Sequence, residues 1–206
     1  MPHRVIMDDL TFPNGRSRVS ERMTSLPGEN VPPGVRSPLL SPPDTPTDPS
    51  TELDMLRHAL ATLSYRGGKV LRGAPDGFGS FSAGPGSRTA LEILSHVGDL
   101  FDWAIHMADG KHVWAEEAVE GWEGAVGRFF SGLAALDDRF ASGEPLGLPG
   151  RKLFQGPFAD AFTHVGQLAM LRRLAGSPVR GENYFKADIQ AGRVGPDQPP
   201  PGYEFD

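Results

Sequence analysis

Three side chains of this sequence have the types and spacing of a divalent-metal site. Asp160 and His164 are four residues apart, so a helix would place them one turn apart on the same face. His96 belongs to a second segment, where it lies beside the apolar stripe. Two neutral imidazoles and one carboxylate would leave a bound ion with an open position and net positive charge, which activates a water or a carbonyl. Zinc suits this donor set, and nickel and iron(II) are compatible with it.

Each of these residues also has a purely structural explanation. A histidine beside apolar residues, such as His96, is often a hydrogen-bonded core residue. An acid in the first turn of a helix, such as Asp160, stabilises the helix dipole without any metal. The remaining candidates, His58, His106 and His112, lie off the apolar stripes or at a helix end, so we expect them to be solvated. Spacing alone therefore leaves metal binding open.

Four amphipathic segments must position these side chains. In each of them apolar residues recur at alternating spacings of three and four, which is typical of one helix face. The stripes run over residues 53–70, 93–107, 119–140 and 158–171. No segment alternates with period two, so strands are not expected. The sequence predicts an all-α fold, with a four-helix bundle over residues 48–176.

Local signals mark the ends of these helices. Asp48-Pro49 favours the start of the first helix, and Gly67-Gly68 is expected to weaken its end. Thr89-x-x-Glu92 fits a capping box at the second helix. We expect the fourth helix to begin near Gly156-Pro157. The Gly-rich segment over residues 73–86 is long for a connection between antiparallel helices and leaves room for a crossover or a lid.

The two ends of the chain have a different composition. Eight prolines between residues 26 and 49 fix φ and remove backbone donors. We expect residues 1–47 to be a disordered Pro-rich leader, or else the product of a misassigned start codon. Residues 177–206 are punctuated by Gly and Pro, and we expect them to pack irregularly on the bundle. This segment would bring Asn183 and Tyr184 to the bundle mouth as substrate contacts.

Composition excludes several classes of function. The chain has 20 Lys and Arg against 26 Asp and Glu, a net charge of −6, so nucleic acid and anionic membranes are poor partners. It has no Cys, which removes disulfides and thiolate catalysis by the protein itself. No signal peptide or membrane-spanning run is visible, so we expect a cytoplasmic protein. The apolar stripes are compatible with a homodimer or with a monomer covered by the C-terminal segment.

Two motifs resemble those of the DinB/YfiT-like family of metal-binding four-helix bundles. The segment LEILSHV, residues 91–97, resembles the family's second-helix signature with one inward His. The segment DAFTHVGQ, residues 160–167, resembles its His-x-x-x-His-x-Gly-Gln motif. The resemblance covers about residues 50–176 and implies a bundle with a long crossover, in which three His bind zinc or nickel. It implies that His96 and His164 are ligands, while Asp160 replaces the remaining His.

The same resemblance implies a class of activity. Members of the family include thiol-dependent S-transferases and a mycothiol-dependent isomerase, and many others are described only as metal-dependent hydrolases. It thus implies a divalent-metal-dependent enzyme that transfers a small external thiol to an electrophilic substrate, since this chain has no thiol of its own. Hydrolysis by metal-activated water is one alternative. A catalytically silent binding or stress-associated scaffold is another, and Asp160 is the feature that favours it.

Overall fold

The computed structural model describes residues 5–6 and 49–205, and in this part the chain is mostly helical. Except for Val5–Ile6, the predicted leader over residues 1–47 lies outside the described residues. The helices are α1 Pro49–Leu71, α2 Ala90–Ala108, α3 Gly121–Ala141, α4 Gly150–Leu153 and α5 Ala159–Leu174. None of the described helices combines the length and apolar character that crossing a bilayer requires.

Four strands of two residues each interrupt the helical pattern. They are β1 Val5–Ile6, β2 Val113–Trp114, β3 Gly181–Glu182 and β4 Glu204–Phe205. The pairs β1–β2 and β3–β4 are both antiparallel. The expectation of no strands was therefore wrong in this detail. Two residues are too few to produce period-two alternation, so sequence periodicity cannot reveal such a pair.

The four long helices pack around a common core. Helix α2 packs against α3 and α5, and α1 packs against the same two helices, so α1 and α2 occupy opposite corners. The connection over residues 72–89 joins these two corners and contains a short 3-10 turn at Phe78–Ser80. Phe78 is buried, and its ring meets Trp122 of α3 edge to face at a centroid distance of 5.2 Å. This long connection therefore packs against α3.

The predicted apolar stripes form the core. The most deeply buried stripe residues are Leu60, Leu63, Val97, Phe129, Leu133, Leu136, Phe140, Phe158, Ala161 and Leu168. Trp103, Trp122 and Val126 are only partly buried. Val119 precedes α3, which begins at Gly121. The helical periodicity was therefore a sound guide to the buried faces.

The boundaries of the helices agree with the local signals at two of the four starts. Helix α1 begins at Pro49 as predicted. The capping box of α2 is also confirmed, since the Glu92 N–H donates to Thr89 Oγ1 at 3.2 Å and the Thr89 N–H donates to Glu92 Oε2 at 2.7 Å. These two bonds satisfy backbone donors that a helix start otherwise leaves free. They fix the residue at which α2 begins.

The fourth helical segment begins earlier than predicted. It starts at Gly150, and Pro157 lies inside a π-helical turn, Phe154–Phe158, that joins α4 to α5. Proline lacks an N–H and clashes with the preceding turn of an α-helix, so it usually marks a start or a break. The wider π-turn accommodates it within a continuous helical path. Proline was therefore a misleading boundary signal here.

Helix α1 also continues past the Gly67-Gly68 pair, which was expected to weaken its end. A Cβ built on Gly67 would lie 2.3 Å from Cζ of Phe129, so only glycine fits here without displacing that ring. Phe129 is fully buried in α3. Gly67 therefore permits the close approach of α1 to α3, and packing offsets its low helix propensity.

The C-terminal segment contacts α1 through a buried polar cluster. Glu182 of β3 accepts hydrogen bonds from the Tyr65 hydroxyl at 2.7 Å and from Lys69 Nζ at 2.8 Å. Lys69 Nζ also lies 2.8 Å from Glu204 Oε1 of β4. Burial, together with the hydrogen bond to Glu182, raises the pKa of Tyr65 above its ordinary range. The segment is thus held to the helices by charge as well as by apolar contact.

Substituting Gly67 tests whether the α1–α3 contact depends on a missing side chain. We expect Gly67→Ala to lower the free energy of unfolding by about 1–3 kcal/mol, because the new methyl group overpacks against Phe129. Gly127→Ala is the matched control, since a Cβ on this exposed helical glycine would meet no atom within 4 Å and alanine should add up to about 1 kcal/mol. Urea unfolding measures both. Equal stabilisation of the two variants would contradict the close contact.

Candidate metal centre

The packing of α2 against α5 brings the three predicted ligands together. His96 lies in the second turn of α2, and Asp160 and His164 lie one turn apart at the start of α5. His96 Nε2 is 3.7 Å from Asp160 Oδ2, and His164 Nε2 is 3.5 Å from Asp160 Oδ1. One ligand atom from each of the three residues lies within 4.8 Å of the other two. The structure therefore assembles a candidate triad from two helices.

The spacing of these atoms fits a small divalent cation. Ligand atoms that bind zinc at about 2.0–2.2 Å in a tetrahedron lie about 3.4 Å from one another. The distances from the two imidazoles to Asp160, 3.5 Å to Oδ1 and 3.7 Å to Oδ2, are close to that value, although each ends on a different carboxylate oxygen. Two nitrogens and one oxygen also form a donor set that zinc, nickel and iron(II) accept. Three protein ligands leave further coordination positions free, as in catalytic rather than structural sites.

Gln167 orients one of the imidazoles. His164 Nδ1 is 2.8 Å from Gln167 Oε1, one turn further along α5. The amide oxygen accepts, so Nδ1 carries the proton and the lone pair is left on Nε2, which is the nitrogen that faces Asp160. Histidines that bind metals are commonly held by such a partner on the second ring nitrogen. In this tautomer Nε2 of His164 is available to coordinate a cation.

Aromatic rings surround His96. Its ring meets that of His164 edge to face at 4.9 Å, and it lies 5.6 Å from the ring of Trp114 in β2. Trp114 in turn contacts Trp103 of α2, with ring centroids 5.8 Å apart. These contacts leave 19% of the His96 side chain exposed. His96 thus lies at the edge of the core with one face still open to small molecules.

The surroundings of His96 favour its neutral form. Burial lowers the pKa of His96, and the neighbouring His164 imidazole and the Arg88 guanidinium act in the same direction. The carboxylates of Asp160 and Asp99 oppose this change without reversing it. A neutral imidazole is the form that binds a metal, because a protonated ring has no free lone pair. No proton would therefore have to be removed from His96 near neutral pH.

A charged cluster on α2 and α3 holds the helix turn that carries His96. Arg128 of α3 forms ion pairs with Asp99, at 2.8 Å, and with Asp102. The same guanidinium donates to the Ser95 carbonyl at 3.2 Å. Asp99 also accepts the Glu117 N–H at 3.1 Å, which fixes the connection that follows β2. The turn of α2 that carries His96 is therefore held against α3 by a partly buried network.

Two cavities border the triad. One, of about 390 Å³, is lined by His96 and by several carboxylates, including those of Glu116 and Glu117. The other, of about 450 Å³, is lined by His164 and is predominantly apolar. Both volumes are in the range of small-molecule sites. Arg88, immediately before the capping box of α2, lines both cavities.

The other sequence candidates lie elsewhere or serve structural roles. His58 and His112 are exposed, and His106 Nδ1 bonds to the Asp102 carbonyl at 2.8 Å. Tyr184 packs against Tyr65 of α1, with ring centroids 6.2 Å apart. Neither Tyr184 nor the preceding Asn183 lines a cavity beside the triad. The expectation that these two residues contact substrate therefore gains no support from the cavities beside the triad and stays a prediction.

Sequence reasoning missed three features of the site. Trp114 belongs to an irregular connection, where no periodicity indicates which side chain faces inward. Arg88 precedes the capping box, so its position relative to the triad depends on the path of the long connection. Gln167 lies on the same helix face as His164. Its spacing of three from that histidine is the signal from which its orienting role could have been inferred.

Comparison with known proteins adds no relative. No protein-family model matches the chain, and neither a curated protein nor a solved structure does. The likeness to the DinB/YfiT-like family therefore rests on the two motifs and on their placement in the fold. Any function has to be inferred from the triad, the residues that orient it and the two cavities beside it.

Proposed function

We propose that this protein is a divalent-metal-dependent enzyme of DinB/YfiT-like type that transfers a small external thiol to an electrophilic substrate. The observation that carries the proposal is the convergence of His96, Asp160 and His164 from two helices, with ligand atoms within 4.8 Å of one another. The hydrogen bond between His164 and Gln167 supports it further, because a histidine that binds a metal is commonly held by such a partner on its second ring nitrogen. Zinc or nickel suits the three donors, and iron(II) is compatible.

The bundle arrangement supports the family assignment within this proposal. The two halves of the candidate site come from the second and the last long helix, as the motif resemblance implies. The long connection between α1 and α2 joins opposite corners, as a crossover would. Asp160 stands where the resemblance implies a His, and its carboxylate reaches both imidazoles. The substitution therefore preserves a ligand while changing its type.

The protein's own residues would divide the work of the reaction. His96, Asp160 and His164 would bind the ion, which when present supplies the Lewis acidity that favours the thiolate form of a thiol. Trp114 packs beside His96 with its ring tilted by 60° and would limit the access of water on that side. The two cavities offer separate places for the two reactants, one polar and one apolar. The thiol has to come from solution because the chain contains no cysteine.

A second candidate function is a catalytically silent scaffold, and the exposure of Asp160 favours it. The Asp160 side chain is 48% exposed, whereas those of His96 and His164 are 19% and 11% exposed. An exposed carboxylate is well solvated and loses more hydration on binding a cation than a partly buried one. A site weakened in this way would hold the same fold without turnover. Low metal content would favour the scaffold, and in a metal-loaded protein turnover with added thiol separates the two candidates.

Removing either imidazole should remove the metal. We expect the purified protein to contain about one equivalent of zinc or nickel after metal-replete expression, and His96→Ala or His164→Ala to contain less than about 0.2 equivalents. His58→Ala is the matched control, since His58 is an exposed histidine of α1. Elemental analysis gives the content, and circular dichroism verifies the helices. Equal metal in the three variants would remove these histidines from any site.

Gln167 should influence metal affinity without being a ligand. We expect Gln167→Met to weaken zinc binding by about 10–100-fold, because the imidazole of His164 loses the acceptor that fixes its tautomer. Gln155→Met, in the exposed part of the π-turn, is the control and should bind zinc as the unaltered protein does. Competition with a chromophoric chelator measures both affinities. An unchanged affinity in Gln167→Met would show that the hydrogen bond has no part in ligation.

Thiol dependence distinguishes the proposed reaction from hydrolysis. With a panel of model electrophiles such as 1-chloro-2,4-dinitrobenzene, we expect turnover only when a low-molecular-weight thiol is added. His96→Ala should lose more activity than the ~10–100-fold expected for a change outside the ligand set. Absorbance of the conjugate follows the reaction. Turnover without thiol would favour hydrolysis, and a metal-loaded protein inert towards every electrophile would favour the scaffold.

A further inference from the structure

The cavity on the His164 side of the triad has walls suited to a largely apolar molecule. Ile93 of α2 and Met170, Leu171 and Leu174 of α5 line it. Met170 and Leu174 are each 56% exposed, although they are large apolar side chains. Its volume of about 450 Å³ is large enough for a small organic molecule. This cavity, which we call the apolar cavity, therefore offers a place where such a molecule would cover exposed hydrophobic surface.

One cationic side chain lies among these apolar walls. Arg88 lines the apolar cavity, and no carboxylate of the described residues does. Within the described part of the chain the guanidinium of Arg88 forms no hydrogen bond or ion pair, and its charge acts on Glu92 and His96 at longer range. The nearby acid Glu92 is already engaged by the backbone and hydroxyl of Thr89. The guanidinium is thus left available for an anion from solution.

We propose that the apolar cavity is the subsite for the electrophile, and that its substrates are small, mostly apolar molecules with a single carboxylate that pairs with Arg88. A guanidinium binds a carboxylate through two parallel hydrogen bonds, which fix orientation as well as position. The apolar body of the molecule would then lie along Ile93 and Leu174, in the cavity that His164 lines. This assignment rests on the proposed function for the role of the bound molecule as electrophile.

The other cavity is a poor place for the same anion. Its lining includes the carboxylates of Glu92, Asp99, Glu116 and Glu117 together with Arg88. Asp99 is neutralised by Arg128, whereas the two glutamates that follow β2 are exposed. Glu117 lies 4.0 Å from Arg128 Nε, and Glu116 forms no ion pair with any described residue. A carboxylate in that cavity would meet like charges, which opposes binding. The charge distribution therefore favours binding of an apolar anion in the apolar cavity, which His164 lines.

Binding of octanoate to metal-free protein tests the subsite directly. We expect octanoate to bind at least about tenfold more tightly than octanamide, which has the same chain without the charge. Arg88→Met should bring the octanoate affinity down to that of octanamide. Arg173→Met is the matched control, because Arg173 is an exposed arginine of α5 that lines neither cavity. Isothermal titration calorimetry gives the affinities, and the absence of metal prevents direct coordination of the carboxylate.

A second variant tests the apolar walls. Met170→Gln should weaken the binding of octanoate and of octanamide alike, because it removes apolar surface and leaves Arg88 in place. Arg88 and Met170 are both exposed, so neither substitution should disturb the core, and circular dichroism verifies this. Equal affinity for octanoate and octanamide, no binding of either, or an Arg88→Met variant with unaltered octanoate affinity would overturn the inference.

Failure of the carboxylate subsite can be distinguished from failure of the proposed metal-dependent activity. Metal content is measured separately on the same preparations, and we expect Arg88→Met to retain the metal of the unaltered protein. Octanoate binding in a protein that never takes up metal would overturn the metal-dependent activity and leave a carboxylate subsite. A metal-loaded protein whose metal-free form does not bind octanoate would overturn only the subsite.

Discussion

The register between α2 and α5 is the constraint on which the candidate site depends. His96 comes from one helix and Asp160 and His164 from the other, so a shift of one residue in either helix would rotate a ligand by about 100°. Several contacts hold the two helices in place. The capping box sets where α2 begins, Arg128 ties α2 to α3, and Leu168 of α5 is fully packed in the core. Chemistry at the triad is therefore a property of the packing as much as of the three side chains.

The arginines near the candidate site fall into two groups, those with partners and Arg88. Arg128 and its two aspartates form a partly buried network, in which each charge has a partner and the helices are held in one arrangement. Arg172 is likewise buried, and it donates to the carbonyls of Val70 and Gly73, which closes the end of α1. Arg88 contrasts with both, since it lies beside a cavity and has no such partner within the described part of the chain. The engaged cations hold the fold, whereas Arg88 faces the site.

Local patterns in the sequence predicted the helices and the shared face of Asp160 and His164, because both follow from the helical period. The ligand role of His96 was expected mainly from the family resemblance. The buried face of α5 and the one-turn spacing of Asp160 and His164 need no knowledge of the neighbouring helices. The start of the fourth helical segment at Gly150 and the continuation of α1 through Gly67 depend on tertiary contacts, which override intrinsic helix propensity. Trp114 and Arg88 lie in connections, where no period indicates what each side chain faces. The residues that line the cavities beside the triad were thus harder to predict than the triad itself.

The buried ion pairs of Lys69 make the irregular C-terminal segment a contributor to the stability of the helical body. The Glu182 side chain is fully buried and that of Lys69 is 5% exposed. Each charge therefore stabilises the other at a place where water cannot solvate them. Removing one member of such a pair strands the other, at a cost of about 3–5 kcal/mol. A chain shortened to residue 176 would strand Lys69 and the Tyr65 hydroxyl on α1. The pair of strands β3 and β4 therefore contributes to the stability of the helical body through the charges that it buries against α1.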